Sequence, residues 1–592
     1  MCGIAGEIRF DARPACADTV ERILEPLAPR GPDGSGVFRH NGVAFGHRRL
    51  KIIDLTEHAA QPMVDSTLGL TLVYNGAIYN YQELRGELES QGYRFFSTGD
   101  TEVILKAYHA WGKACVERLS GMFAFAIYER DSGKVFCARD RLGIKPFYFM
   151  HSPDVFRFAS TLPALLKAGD VDTSIDPVAL NYYMSFHAVV PAPHTILNGV
   201  RKLPPATLME ITPDGAIRQE VYWGLDYART PEDETCSAEE WTDRVQEALT
   251  LAVKRRLVAD VPVGVLLSGG LDSSLVVALL DQLGQKNITT FSVGFEDAGG
   301  EEGNEFRYSD IIAQRFGTRH HKIFVEHSRL REHLGACIRA MSEPMVSHDV
   351  IGFYLLSQEV SKHVKVVQSG QGADEVFAGY HWYPPLMEAT PSTASQRYAS
   401  AFFDRDFDDY RKAISSQYVQ EDHARRFLDE RFAAPGAQAP IDKALRLDTT
   451  VMLVDDPVKR VDNMTMAFGL EARVPFLDHD LVEMAAKIPA TWKIKEGGKY
   501  VLKQVGRRIL PHEVIDRPKG YFPVPALKYL EGEYLTMVQE VLGSPSAARR
   551  GLFNTDYLTQ LYASPATQIT PLGGSKLWQV ALLEYWLQEQ GI

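Results

Sequence analysis

The second residue of the chain is a cysteine, in MCGIAG. With the initiator Met removed, Cys2 carries a thiol and an α-amino group together, a nucleophile joined to its own base, because a free α-amine titrates near about 8. Taken alone, the same cysteine also reads as a small buried residue opening a strand. Two further stretches carry chemistry of another kind. SGGLDSS (268–274) follows an apolar strand and opens a helix, and VVQSGQGADEVFAGY (366–380) repeats the layout: apolar run, small residues, then a segment headed by Asp374 and Glu375. Small residues let backbone N–H groups close on an anion, and a helix N-terminus adds positive potential there. Asp272 and Asp374 offer carboxylates suited to a divalent cation; for Asp374 the plainer role is to charge a helix N-terminus. No Gly-Lys pair is followed by Ser or Thr, so neither stretch is a Walker A loop.

The elements that must hold these residues follow two rhythms. Over roughly the first 225 residues, short alternating strands dominate. FAFAIYER (123–130), the turn DSGK and VFCARD (135–140) predict a hairpin, and LTLVYNGAIYN (70–80) a strand ending in a polar turn. Asn80 followed by Glu83 predicts a capping box ahead of YQELRGELESQG, and TEVILKAYHAWG has helical spacing with Gly112 as its stop. The polar, acidic stretch DYARTPEDETCSAEE (226–240) reads as a linker. From 241 to 592 the rhythm changes to strand, turn, helix: VPVGVLL, LVVALLDQLG, ITTFSVGF and HVKVVQ predict a parallel sheet covered on both faces, with ligands at its carboxyl edge. Longer segments, among them GSKLWQVALLEYWLQ, predict a mostly helical remainder.

Composition sets limits on the partners. A chain of 592 residues with 45% hydrophobic and 10% aromatic residues can bury ample core, which excludes a disordered protein. Lys plus Arg number 63 against 76 Asp plus Glu, a formal charge of -13, which argues against nucleic acid as the main partner and leaves room for a local phosphate pocket. Six scattered cysteines without a C-x-x-C pair fit a reducing cytoplasm. Glu7 and Arg9 stand where a signal peptide needs its apolar run, so neither export nor a membrane span is expected.

After MCGIAG come RGPDG (30–34), GHRRLKIID (46–54), YNGAIYN (74–80) and TGDTE (98–102). This ordered set resembles the class II glutamine amidotransferase domain. The resemblance implies an α+β N-terminal-nucleophile hydrolase sandwich of αββα layers over 1–225, in which Cys2 attacks the side-chain amide of glutamine and releases ammonia. It implies that the Asn75 side chain and the Gly76 N–H hold the oxyanion, a task for fixed donors. Arg49 would pair with the glutamine α-carboxylate and Asp100 with its α-ammonium group, with Leu50, Ile53 and Ala77 lining the same site. At one position the chain departs: the family commonly shows NGE, whereas Ala77 removes that carboxylate.

SGGLDSS resembles the pyrophosphate motif of enzymes that cleave ATP to AMP and pyrophosphate and activate a carboxylate as an adenylate. By that resemblance Leu267, Ser268, Gly269, Gly270, Asp272, Ser273, Val293, Ser369 and Gly370 contact ATP. Asp272 and Asp374 would hold Mg2+, and Lys519, in RPKGYF (517–522), would contact phosphate and the adenylate. LEARVPFLD (470–478) reads as scaffold near the acceptor site. With its motifs in order from Cys2 to Phe522, the chain is identified as a member of the glutamine-hydrolysing asparagine synthetase family, an α/β ATP-pyrophosphatase domain following the glutaminase. Glutamine, ATP and a carboxylate acceptor are the expected small-molecule partners, without nucleic acid or membrane, and the resemblance allows a homodimer.

The acceptor hangs on Gln371. Asparagine synthetases usually read SGEG where this chain reads SGQG, and an amide in place of a carboxylate removes a charge and a base. SGQGADEVFAGYHWYPP, DPVKRVDNMTMAFGLEARVPFLD and RPKGYFPVPALKYL look like a bacterial branch, N-acetylglutaminylglutamine amide synthetase, which amidates the terminal carboxylate of a dipeptide to give a neutral osmoprotectant. Aspartate is the alternative acceptor. The pyrophosphate motif also occurs in tRNA-thiolating enzymes, but those need a basic RNA surface, which a chain of formal charge -13 with a terminal-Cys glutaminase does not suit. Ala77 with Gln371 would fit a non-enzymatic regulator, against which the retained Cys2, Asn75, Asp272 and Lys519 argue.

Overall fold

A computed structural model describes residues 2–296, 304–517, 527–528 and 530–592. The N-terminal part is built from two six-stranded sheets. One runs, edge to edge, through Arg201–Lys202, Tyr148–His151, Val155–Ala159, Gly3–Arg9, Val43–Arg49 and Gly34–His40; the other through Ile217–Val221, Thr207–Ile211, Val135–Arg139, Gly121–Glu129, Leu70–Ile78 and Met63–Asp65. Side chains alternate along each strand, so one strand serves two cores. In Gly121–Glu129, Ala124, Ala126 and Tyr128 join Ile4, Phe45 and Phe158 between the sheets. Phe123, Phe125 and Ile127 instead pack with Leu84, Leu88, Val103 and Ile104 of the helices Tyr81–Ser90 and Asp100–Trp111. The helix Ala17–Leu24 covers the first sheet with Val20, Ile23 and Leu24. This is the αββα sandwich.

The hairpin pairs Ala124 with Arg139 as the alternation predicts, and Gly112 ends its helix at a φ of 57. Asn80 differs from expectation. It occupies the N-cap position, but its Nδ2 donates to the Arg118 carbonyl (2.9 Å) and its Oδ1 accepts from the Ser120 N–H (2.9 Å), so it ties the helix to the next strand instead of closing a capping box.

The second part carries a five-stranded sheet in the order Arg319–Val325, Thr289–Phe295, Val263–Leu266, Val366–Gln368 and Glu471–Arg473, with every pairing parallel. Strand order reverses between Val263–Leu266 and Val366–Gln368, and the two glycine-rich loops leave the carboxyl ends of this central pair. A doubly wound sheet opens its ligand crevice at such a switch point. The remainder is helical, ending in Lys576–Glu589.

The acidic stretch read as a linker is no free tether. Capping boxes at Thr230 and Ser237 start the helices Pro231–Thr235 and Ala238–Arg255, Tyr227 is buried, and Arg229 donates to Asp442 (2.9 Å) and to the Ile488 carbonyl (3.0 Å). Buried ion pairs join the two parts: Arg30 and Lys145 both reach Asp462 (2.9 and 3.1 Å), and Lys202 reaches Asp455 (2.6 Å) and Glu343 (3.0 Å). Asp260 of the second part accepts from the Asp54 N–H (2.7 Å) and donates its own N–H to the Ile52 carbonyl (2.8 Å), fixing the loop that carries Leu50 and Ile53.

Candidate active sites: two clefts joined by one strand

Cys2 precedes the first central strand, Arg49 ends a neighbouring one, Asn75 and Gly76 lie near the end of Leu70–Ile78, and Asp100 opens its helix. These ends converge on a cleft with about 400 Å³ of empty space, lined by Cys2, Arg49, Leu50, Ile53, Gly76, Ala77 and Asp100 among others. The Cys2 backbone nitrogen donates to Asn75 Oδ1 (3.0 Å), and Sγ lies 4.0 Å from the Leu50 carbonyl. That contact orients Asn75, whose Nδ2 is buried without a hydrogen-bond partner among the described residues. A buried unused donor beside a nucleophile is the arrangement an oxyanion requires. Gly76 admits no side chain: a Cβ there would come within 2.2 Å of the Met122 carbonyl oxygen.

Burial raises the Cys2 thiol above its ordinary value, so attack must be accompanied by proton transfer to a nearby base. His47 does not supply one. Its Nε2 contacts the Tyr74 carbonyl (3.1 Å) and burial pushes its pKa down to about 3, leaving it a neutral strut. The Arg49 guanidinium faces the cleft while donating to the carbonyls of Thr56 (2.7 Å) and Asp54 (2.5 Å), which fixes its direction. Asp100 Oδ2 accepts from the Tyr74 hydroxyl (2.9 Å) and the Ile78 N–H (3.0 Å); burial raises its pKa to about 6.

The second cleft lies at the carboxyl edge of the parallel sheet. Gly269 has a φ of 74, and a Cβ there would stand 2.5 Å from the Ser309 nitrogen, so the loop can be built only with glycine. Ser273 Oγ accepts from the Ser268 N–H (3.2 Å), curling the loop onto its helix, Leu271–Gln282. Leu267 and Val293 are buried beside it. Across the switch point the Ser369 N–H donates to the Arg473 carbonyl (2.8 Å), and Gly370 packs against Asp272: a Cβ would stand 3.0 Å from that of Asp272. Gln371 is half-buried, and Gly372, at a φ of 94, fits against Leu477, whose Cδ2 would be 2.4 Å from an added Cβ.

Three basic or acidic residues that sequence reasoning passed over stand at these clefts. Lys499 bridges Asp272 Oδ2 (2.7 Å) and Asp374 Oδ1 (2.8 Å). Burial opposes its charge, but the two carboxylates outweigh it and raise its pKa. Gly379 makes the room, since a Cβ there would meet Asp374 Oδ1 at 2.0 Å. Two carboxylates converging on one cation also form a donor set that fits Mg2+. Arg517 reaches the pyrophosphate loop, anchored by Glu305 (2.6 and 2.9 Å) and stacked over Tyr308; Lys519 lies outside the described residues. Glu471 belongs to LEARVPFLD, read from sequence as scaffold near the acceptor site, yet it lines the Cys2 cleft. The GGK run before the helix Tyr500–Ile509 was the only local hint of Lys499; nothing local marked Glu471.

Residues 1–223 match the family described as Glutamine amidotransferase domain, and residues 244–588 the one described as Asparagine synthase. The chain belongs to the asparagine synthase family. It is 31% identical over 622 residues to asparagine synthetase [glutamine-hydrolyzing] 1 of Bacillus subtilis, an alignment covering 99% of this chain and 96% of that one. With asparagine synthetase B [glutamine-hydrolyzing] of Escherichia coli it shares 28% over 550 residues, covering 88% and 82%. A protein of Penicillium rubens named amidase chyE is 25% identical over 629 residues, covering 94% and 92%. As an asparagine synthase family member, the chain is an ATP-dependent carbon–nitrogen ligase of the glutamine-dependent amidotransferase type. No described helix of this family member is long and apolar enough to cross a membrane.

Proposed function

We propose that the two clefts carry out successive half-reactions. In the N-terminal cleft, Cys2 Sγ attacks the side-chain carbonyl carbon of glutamine while its proton passes to the α-amine freed by removal of Met1. The oxyanion is received by Asn75 Nδ2 and the Gly76 N–H; collapse returns the proton to the leaving nitrogen, releasing ammonia and a thioester that water then cleaves. In the second cleft, an acceptor carboxylate oxygen attacks the α-phosphorus of ATP and displaces pyrophosphate, and ammonia then displaces AMP from the acyl-adenylate. Backbone N–H groups of Ser268–Ser273 hold the departing phosphates, with Lys499 and Arg517 beside them. Asp272 and Asp374 would hold Mg2+, which when bound neutralises charge on the pyrophosphate. Ammonia would cross where the two parts meet: Glu471 lines the Cys2 cleft and, two residues on, the Arg473 carbonyl holds Ser369.

For the acceptor, we infer the terminal carboxylate of N-acetylglutaminylglutamine. The observation that carries this is the neutral Gln371 on the loop between Gly370 and Gly372, where an aspartate-using member would place a carboxylate. Aspartate is the second reading, favoured by the names of the bacterial relatives. AMP release measured with glutamine and each acceptor in turn tests both: release with the dipeptide and not with aspartate is expected, the reverse overturns the acceptor, and no AMP with any carboxylate overturns the adenylation step. Gln371→Glu alone should not create strong aspartate activity; robust asparagine formation by that variant would refute a pocket shaped by the helices beyond 380.

A further inference from the structure

Among the described residues that line the glutamine cleft, one comes from the other half of the molecule. Glu471 begins the edge strand Glu471–Arg473, buried at 1% exposure, and shares the cleft wall with Cys2, Arg49, Ala77 and Asp100. Its place is fixed by the backbone: the Glu471 N–H donates to the Lys365 carbonyl (2.8 Å), and the strand pairs with Val366–Gln368. Its Oε1 is held by the Arg473 guanidinium (2.5 Å).

Glutamine brings a cation and an anion into this cleft. The anion has Arg49. For the cation, Asp100 already spends one oxygen on Tyr74 and Ile78, and burial raises its pKa to about 6, so its charge is lost early as pH falls below neutral. Position 77, which could have supplied a second carboxylate from the same wall, is a buried methyl group. Glu471 is different: burial opposes ionisation, but the surrounding positive charges, Arg473 first among them, outweigh it and keep the carboxyl below its ordinary value, so it is anionic in the neutral range.

We propose that Glu471 receives the α-ammonium group of glutamine together with Asp100, so that the glutamine site is complete only when the two halves are docked. The proposal rests on the glutamine-hydrolysing role of the Cys2 cleft. It makes Glu471 a substrate-binding residue that acts through charge.

The test uses the full chain and compares ammonia release from glutamine with release from 4-carbamoylbutyrate, which is glutamine without its α-amino group. In the unaltered protein kcat/KM should favour glutamine. In Glu471→Gln, which keeps shape and removes charge, that preference should fall about 10- to 100-fold, mainly through KM for glutamine, as expected for loss of one partner of a buried charge pair. Glu471→Asp should retain part of the preference, and Ala77→Glu placed in the Glu471→Gln background should restore part of it. An unchanged preference in Glu471→Gln, or equal losses on both substrates in both Glu471 variants, overturns the proposal while leaving the glutaminase assignment intact. Failure of the unaltered protein to release ammonia from glutamine overturns both.

Discussion

The two clefts solve opposite electrostatic problems. Around Cys2 the proposed chemistry needs a thiol that gives up its proton on attack and oriented donors, and the fold supplies the donors by burial: Asn75 is held by the Cys2 nitrogen, His47 is kept neutral, and strand ends from both sheets converge. At the loop 268–274 the proposed chemistry must handle phosphate charge. There the fold supplies glycines that expose backbone N–H groups, and charged side chains that neutralise one another, Lys499 between Asp272 and Asp374. The first site is therefore expected to fail through loss of a single oriented group, and the second through loss of charge balance. Under our proposal the first site also takes Glu471 from the other half of the chain.

Substitutions can break this comparison. Cys2→Ala should have the largest effect, reducing glutamine-dependent AMP release to background while ammonium-supported turnover persists; loss of both would mean that the clefts are not separable. Lys499→Met should lower turnover about 10³-fold with either nitrogen source, because charge at the departing pyrophosphate is removed. An effect confined to glutamine would contradict its placement. Asn75→Ala should cost about 10²- to 10³-fold in kcat with glutamine alone, the scale of one oxyanion donor, with KM little changed.

Acidity sharpens the contrast further. Asp100, raised to about 6 by burial, must be ionised to receive an ammonium group, so kcat/KM for glutamine, already falling as the Cys2 α-amine gains its proton below about 8, should fall about a further tenfold per pH unit below about 6. Ammonium-supported turnover should lack this limb. For stability the sign is reversed. A carboxyl whose folded pKa exceeds its unfolded value, near 3.9, contributes stability that is present below that pH and lost as pH rises through about 6. Denaturant titration of Asp100→Asn should therefore show a flatter pH dependence across that window than the unaltered chain. The smallest effect belongs to the loop: Gly372→Ala, strained at a φ of 94 and crowded by Leu477, should destabilise the protein by about 1–3 kcal/mol in thermal unfolding.

Much of this architecture is legible in the sequence. Period-two alternation in FAFAIYER marks a strand shared by two cores, and SGGLDSS and SGQG mark turns that only small residues can make, because these are local consequences of backbone geometry. Asn80 shows where local reasoning stops: its side chain has the chemistry of a cap, but its amide is taken by the Arg118 carbonyl and the Ser120 N–H and makes no hydrogen bond to the first turn. The acidic stretch after 225 is another case, polar in sequence and yet pinned by Arg229 to residues more than 200 positions away.

Lys499 and Glu471 escaped for the same reason. A buried charge is tolerable only where partners are brought to it, and those partners are set by chain crossings that leave no spacing in the sequence. By itself the sequence determined the candidate groups, their order and the two local geometries, a cysteine near the N-terminus and a pair of glycine loops, because each needs only neighbouring residues. The tertiary structure alone decided that Lys499 would stand between Asp272 and Asp374, and that a three-residue strand would carry Glu471 into the cleft of Cys2 while its Arg473 carbonyl holds Ser369.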